Sequence, residues 1–216
     1  MNGNLNRRWA YVGVAAVAFW VLGILLNNAG GGLSEKASDA ATLAWIRDND
    51  TTILFGGWSF MTGCLCFIWF AGILRERLAA AEGGTTFATI AFAGALATAI
   101  FGMGSPAGDL ASAISKDNIS PATAGALHHL SDAFFVGAEL SAIVLLAAVG
   151  ILTLRTRVLP RWWGIVGLLL AVVLFIGPIG WAALIFGLPV WTLVTSLLVA
   201  RSPRRGAVAA QAPAVA

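Results

Sequence analysis

Hydrophobic positions gather in six long runs, at 9–26, 53–74, 85–103, 130–154, 162–176 and 179–200, and charged positions stand almost wholly between them. At about 1.5 Å per residue, some 20 residues of helix cross the roughly 30 Å hydrocarbon layer of a bilayer. The pattern predicts an all-α, polytopic membrane bundle of six transmembrane helices, forming one domain over 1–200 with a flexible tail at 201–216. The fifth run has only 15 residues, so Arg161 has to snorkel and Gly177-Pro178 has to sit near the interface. A re-entrant hairpin built from the fifth and sixth runs is the alternative, because Gly177, Pro178 and Gly180 make a very tight turn. The first run, at 18 residues, exceeds the roughly 7–15 of a signal-peptide core and reads as a retained anchor.

Composition supports lipid as the solvent. Of the residues 59% are hydrophobic and 11% charged, where a water-soluble domain carries roughly 25% charged. The net charge of +3 is not a nucleic-acid signal, because its placement has a membrane explanation. Arg7, Arg8, Arg75, Arg77, Arg155, Arg157, Arg161, Arg201, Arg204 and Arg205 fall on one side of the predicted spans. Only Lys36, Arg47 and Lys116 fall on the other. The positive-inside rule then puts both termini in the cytoplasm of a bacterial cytoplasmic-membrane protein.

The outer loops carry helical signals of their own. Ser34 can cap a short helix through Ala37, Ala41, Ala44 and Trp45, lying over the bundle mouth. Ser105-Pro106 and Ser120-Pro121 each pair a capping serine with a proline suited to the first helical turn. The first pair begins a short helix toward Ser115. The second begins a rod that nothing breaks until Leu154, about 51 Å long and longer than the bilayer is thick.

Candidate chemistry sits on that rod. At about 100° per residue, His128, Asp132 and Glu139 fall within a stripe of about 40°, continued by Phe135, Ile143 and Leu146. The stripe is expected to face protein or a water-filled vestibule, with Glu139 near the midplane. An ionised carboxylate there costs about 2.5 kcal/mol or more on insertion scales, so Glu139 is expected to be protonated or paired. Three readings stay open for it: a proton or cation site on a gated path, the general acid or base of a membrane enzyme, or a structural acid. As a structural acid it would hydrogen-bond Ser59, Thr62, Thr89, Thr98 or Trp58. Glu139, Asp132 and His128 are the catalytic candidates, and with Ser59, Thr62, Thr89 and Thr98 they form the candidate binding set.

His128 and His129 diverge by about 100° and do not share one metal easily. A single histidine leaves an axial haem ligand, or a half site for a divalent cation with Asp132, as the remaining cofactor options. No metal site and no cofactor is predicted. Cys64 and Cys66, about 200° apart on a helix, cannot bridge and read as apolar fillers. Ala91, Ala95 and Ala99, flanked by Gly94 and Thr98, and Gly56, Gly57 and Gly63 predict close helix contacts with the fourth run. Trp9, Trp162 and Trp163 suit the headgroup level. Gly187 and Pro189 predict a kink in the sixth run.

The chain contains no phosphate loop, no HExxH zinc motif, no GxSxG elbow and no CxxCH haem attachment. Three stretches instead carry a resemblance: Trp69-Phe70-Ala71-Gly72-Ile73-Leu74-Arg75, Leu159-Pro160-Arg161-Trp162-Trp163-Gly164, and the glycine- and proline-bearing segment from Gly177 to Trp191. With these the chain resembles multi-span integral membrane proteins of unknown function that are common in actinobacteria. The resemblance implies the span count and assigns no role to any residue. The combined expectation is an outward-facing intramembrane polar pocket that binds a small molecule, proton or cation. The alternatives are an enzyme using acid-base chemistry on a lipid or isoprenoid, and a structural or regulatory subunit without chemistry. The partners expected are membrane lipids, a small hydrophobic ligand, and a second copy or a complex subunit, with no nucleic acid.

Overall fold

A computed structural model describes residues 9–34 and 36–201, all-helical with no strand among them. Arg7, Arg8, Glu35, Arg204, Arg205 and the tail from 202 onward lie outside the described residues. The helices are α1 (Val12–Asn28), α2 (Asp39–Glu82), α3 (Thr86–Gly104), α4 (Ala107–Ile114), α5 (Pro121–Thr156), α6 (Arg161–Leu174) and α7 (Gly177–Ala182). A π-helical turn at Ala183–Gly187 then leads into α8 (Leu188–Arg201). Four stretches are long and apolar enough to cross a membrane: α2, Thr86–Ile114, α5 and Ile179–Arg201. The α1 and α6 helices are apolar but shorter, at 17 and 14 residues, or about 26 and 21 Å. Among the described residues four of the six expected spans therefore have full crossing length.

The connection between the first and second apolar runs departs from expectation. Ser38, not Ser34, caps the helix, accepting from the Ala41 N–H at 3.3 Å. The helix then runs unbroken for 44 residues into the second apolar run. Polar residues in its middle do not break it because their side chains are satisfied locally or by a distant partner. Asn49 donates to the Trp45 carbonyl at 2.9 Å and Thr52 to the Asn49 carbonyl at 2.8 Å. Asp50 pairs with Lys116, and that hydrogen bond pushes the Lys116 ammonium up from its ordinary value. Leu43, Ile46 and Ile53 thus stand upright in a small second core with Ala113 and Ala124.

The second loop follows expectation more closely. It holds the eight-residue α4, and Ser120 caps α5 by accepting from the Thr123 N–H, with Pro121 in the first turn. The N-cap of α4 is Pro106, without a side-chain cap. At the other end of the bundle the Glu82 carboxylate accepts from the Phe87 and Ala88 N–H groups at 2.9 and 3.0 Å, closing the α2–α3 turn.

Small residues set the helix spacing. On α3, Ala91, Gly94, Ala95, Thr98 and Ala99 are all buried. A Cβ at Gly94 would stand 2.6 Å from the Leu145 backbone nitrogen, so α3 and α5 meet backbone to backbone. Gly56 and Gly63 serve a different contact from the one expected, with α1 rather than with α5. Their added Cβ atoms would meet the Gly23 carbonyl at 3.1 Å and the Ala16 carbonyl at 2.9 Å. Side-chain hydrogen bonds cross the same seams: Ser59 to the Phe19 carbonyl at 2.9 Å and Ser196 to the Ala10 carbonyl at 2.6 Å. Trp163 turns inward, not to the headgroup level, and donates to Thr195 Oγ1 at 2.8 Å, while Trp9 and Trp162 stay exposed.

Charges sort by end. Arg77 donates to the Val199 carbonyl at 3.0 Å and Arg155 lies 5.3 Å over the Phe87 ring, which brings the ends of α2, α5 and α8 together with the start of α3. Trp9 stacks on Trp69 near the same end. At the opposite end Arg47 donates to the Lys116 carbonyl at 3.0 Å and Trp45 to the Gly31 carbonyl at 2.9 Å.

Close α3–α5 approach yields a paired expectation. Gly94→Leu should destabilise the purified protein by about 1–3 kcal/mol or prevent its folding, as overpacked cores do. Gly72→Leu, at a position with nothing within 4 Å, should leave the melting temperature in detergent unchanged. Equal melting temperatures for both variants would contradict the packing.

Candidate functional site

Between α1, α2, α3, α5 and the π-helical turn lies a cavity of about 250 Å³. Trp20, Phe60, Phe135, Leu184 and Leu188 make its body apolar. Asn27, Asn28, Ser105 and Asp109 contribute polar groups from the helix ends at the acidic end of the bundle, and Cys64 and Thr98 lie among the apolar groups. These last two are already engaged. Trp20 Nε1 donates to Cys64 Sγ at 3.4 Å, and Thr98 donates to the Gly94 carbonyl at 2.8 Å.

Free hydrogen-bonding capacity is concentrated at the mouth. Asn28 spends its amide on the Ile24 carbonyl at 2.8 Å, whereas Asn27 Oδ1 is buried and accepts nothing. Asp109, in the first turn of α4, places Oδ1 2.8 Å from His128 Nδ1 on the early turns of α5. Burying an acceptor without a partner costs about 1–3 kcal/mol, and Asn27 Oδ1 bears that cost against α2, where a Cβ at Gly56 would collide with it.

The π-helical turn that walls the cavity has a sequence cause. Pro189 offers no N–H to the carbonyl of Ile185, four residues earlier, and Gly187 weakens the regular helix beside it. The chain widens instead, and the Leu188 N–H bonds to the Ala183 carbonyl, five residues back. This is the form that the expected kink takes.

Glu139 is buried, with 7% of its surface exposed, but it does not line the cavity. Its neighbour Ala138 does, and about 100° of helical rotation turns Glu139 onto the α6–α7 turn. A Cβ at Gly180 would collide with Glu139 Oε1 and would stand 2.7 Å from the Leu174 carbonyl oxygen. Glu139 Oε1 has no hydrogen-bond partner.

The predicted stripe therefore separates into three surroundings. Asp132 has 68% of its side chain exposed and lies 3.7 Å from His129, not beside His128. Of that stripe Glu139 and Leu146 are buried, and the buried face of α5 also takes in Ala124, Ser131, Ala138, Ala142 and Leu145 as the rod passes from α4 to α3 and α6. Thr89 is exposed, Ser59 bonds the Phe19 carbonyl, and Thr62 bonds the Trp58 carbonyl. None of the expected hydroxyls reaches Glu139, and Thr98 alone of that binding set lines the cavity. Asn27 and Asp109 were not in that set. Asp109 announced itself only as a first-turn acid, and its partner lies 19 residues away across a loop. Among the described residues no three His, Cys, Asp or Glu side chains group as metal ligands.

If the Asp109–His128 contact fastens α4 to α5, a double-mutant cycle with Asp109→Asn and His128→Ala should return a coupling of about 1–2 kcal/mol in unfolding measurements. Strict additivity of the two substitutions would contradict it. The chain matches no family model, no curated protein and no solved structure.

Proposed function

We propose that the protein is a six-helix, multi-pass protein of a bacterial cytoplasmic membrane, with both termini inside, that binds a small amphipathic molecule in the outward-facing cavity. The cavity itself carries the reading. Its 250 Å³ is a little below the roughly 300–1,000 Å³ of drug-sized ligand sites, and it has their usual composition of apolar walls with a few polar groups. Among the polar groups at the mouth the Asp109 carboxylate is an acceptor, which suits a ligand head that donates hydrogen bonds. The apolar body of the ligand would lie between Phe135 and Leu184.

Orientation is supported by the basic end formed by Arg77 and Arg155, read as cytoplasmic. The six-span count is supported by the antiparallel order of the helices. It requires α1 and α6 to be anchored at the basic end by their flanking Trp9, Arg161 and Trp162, with the outer end of the 14-residue α6 still inside the apolar layer. Counted from Arg155, Glu139 is 16 residues up α5, about 24 Å. That depth favours the outer part of the apolar layer over the midplane.

The Asp109–His128 pair at the mouth favours a second reading, acid-base chemistry on a lipid-derived molecule. Native mass spectrometry of the purified protein separates the two. The same bound mass in wild type and His128→Ala speaks for binding, and a changed mass for chemistry.

Filling the cavity tests the main reading directly. Gly102 lines it, and an added Cβ there would meet only Cys64 Sγ at 3.1 Å and Phe60 Cε1 at 3.8 Å. Gly102→Leu should reduce binding of a solvatochromic apolar probe at least tenfold, with no loss of melting temperature. Undiminished probe binding in a folded Gly102→Leu protein would overturn the assignment.

A further inference from the structure

Glu139 and the α6–α7 turn present a problem in acceptor chemistry. The carboxyl oxygen Oε1 and the Leu174 carbonyl oxygen border the same small space, the one left by the missing side chain of Gly180. Two oxygens that only accept repel each other unless a proton or cation stands between them. Nor does the backbone supply a donor in the ordinary way, because the residue four beyond Leu174 is Pro178, which has no N–H.

The neighbouring elements offer no counter-charge. Residues 161–174 contain only Arg161, at the far end of α6 about 20 Å from Leu174. Neither α3 nor α7 nor the π-helical turn contains an acidic, basic or histidine residue, and the only one in α8 is Arg201 at its far end. The α1 helix has none, and α2 has none between Asp50 and Arg75. On α5 itself the nearest are Asp132 and His129, both exposed, then His128, about 17 Å away and paired with Asp109, and on the other side Arg155, about 24 Å away.

We propose that Glu139 is a proton-binding site: it is held as the neutral acid, and its hydroxyl donates to the Leu174 carbonyl oxygen across the gap at Gly180. The proton replaces the hydrogen bond that Pro178 withholds and fastens the α6–α7 turn to α5. Loss of that proton leaves two acceptors facing each other, so ionisation loosens the turn. The same turn leads through α7 into the π-helical wall of the cavity.

Infrared spectroscopy of the full chain in lipid nanodiscs tests this without reference to the cavity's ligand. With ¹³C-glutamate labelling at neutral pH, the wild type should show a carboxylic-acid carbonyl band that shifts with the label and in heavy water. The band should vanish in Glu139→Gln, whose amide can still donate to Leu174, and the melting temperature should hold. Gly180→Ala, whose methyl group would take the carboxyl's position, should shift or remove the band. Wild type without a glutamate acid band overturns the proposal even if no variant folds. A carboxylate that responds instead to sodium or potassium overturns it in favour of a cation site, and a band indifferent to Gly180→Ala overturns the placement.

Discussion

Backbone polar groups inside a hydrocarbon layer have no water to turn to, so each must find its partner within the protein. Most of this chain meets that demand in the simplest way, with long uninterrupted helices whose breaks fall at the bundle ends. Where helices press close, as at Gly94 against Leu145 and Gly63 against Ala16, side chains are removed and the helical hydrogen bonding is kept. The interruption within the bundle falls at 175–187, where a turn and then a π-helical segment replace regular helix.

The unusual features gather around that interruption. On one side of it Gly180 receives Glu139, and on the other Leu184 and Leu188 wall the cavity. A π-helical turn often marks a functional place because it costs stability that regular helix would keep. Here it joins two neighbourhoods that α5 separates by a single residue, Ala138 facing the cavity and Glu139 facing the turn. A change at the carboxyl therefore has a short covalent route to the cavity wall. Both lie toward the end of the bundle that carries Asp109 and His128, away from Arg77 and Arg155.

Much of this architecture was legible in the sequence because it rests on local rules. The apolar runs located the helices, Ser120-Pro121 marked the start of α5, and the alanine and glycine spacing on α3 marked its close contact with α5. What escaped depends on partners far along the chain. The stretch between the short helix ending at Trp45 and the apolar run at 53–74 is not expected to be helical, yet the helix continues through it, with Lys116 supplying a partner to Asp50 from 66 residues away. The stripe of His128, Asp132 and Glu139 assumed one buried face along α5, but that rod changes neighbours as it descends, and Asp132 turns outward. Trp163 was assigned to the interface by residue type, and a hydroxyl on α8 draws it in.

In the proposed topology the 14-residue α6 leaves the α6–α7 turn within the apolar layer, held there by α5. A nitroxide label at Phe175, which is 77% exposed at the tip of that turn, measures this directly in liposomes after replacement of Cys64 and Cys66. Collision with oxygen should far exceed collision with a water-soluble nickel chelate. A label at Ile114, 72% exposed at the end of α4, should show the reverse preference. Chelate access at Phe175 equal to that at Ile114 would put the turn in water and contradict the claim.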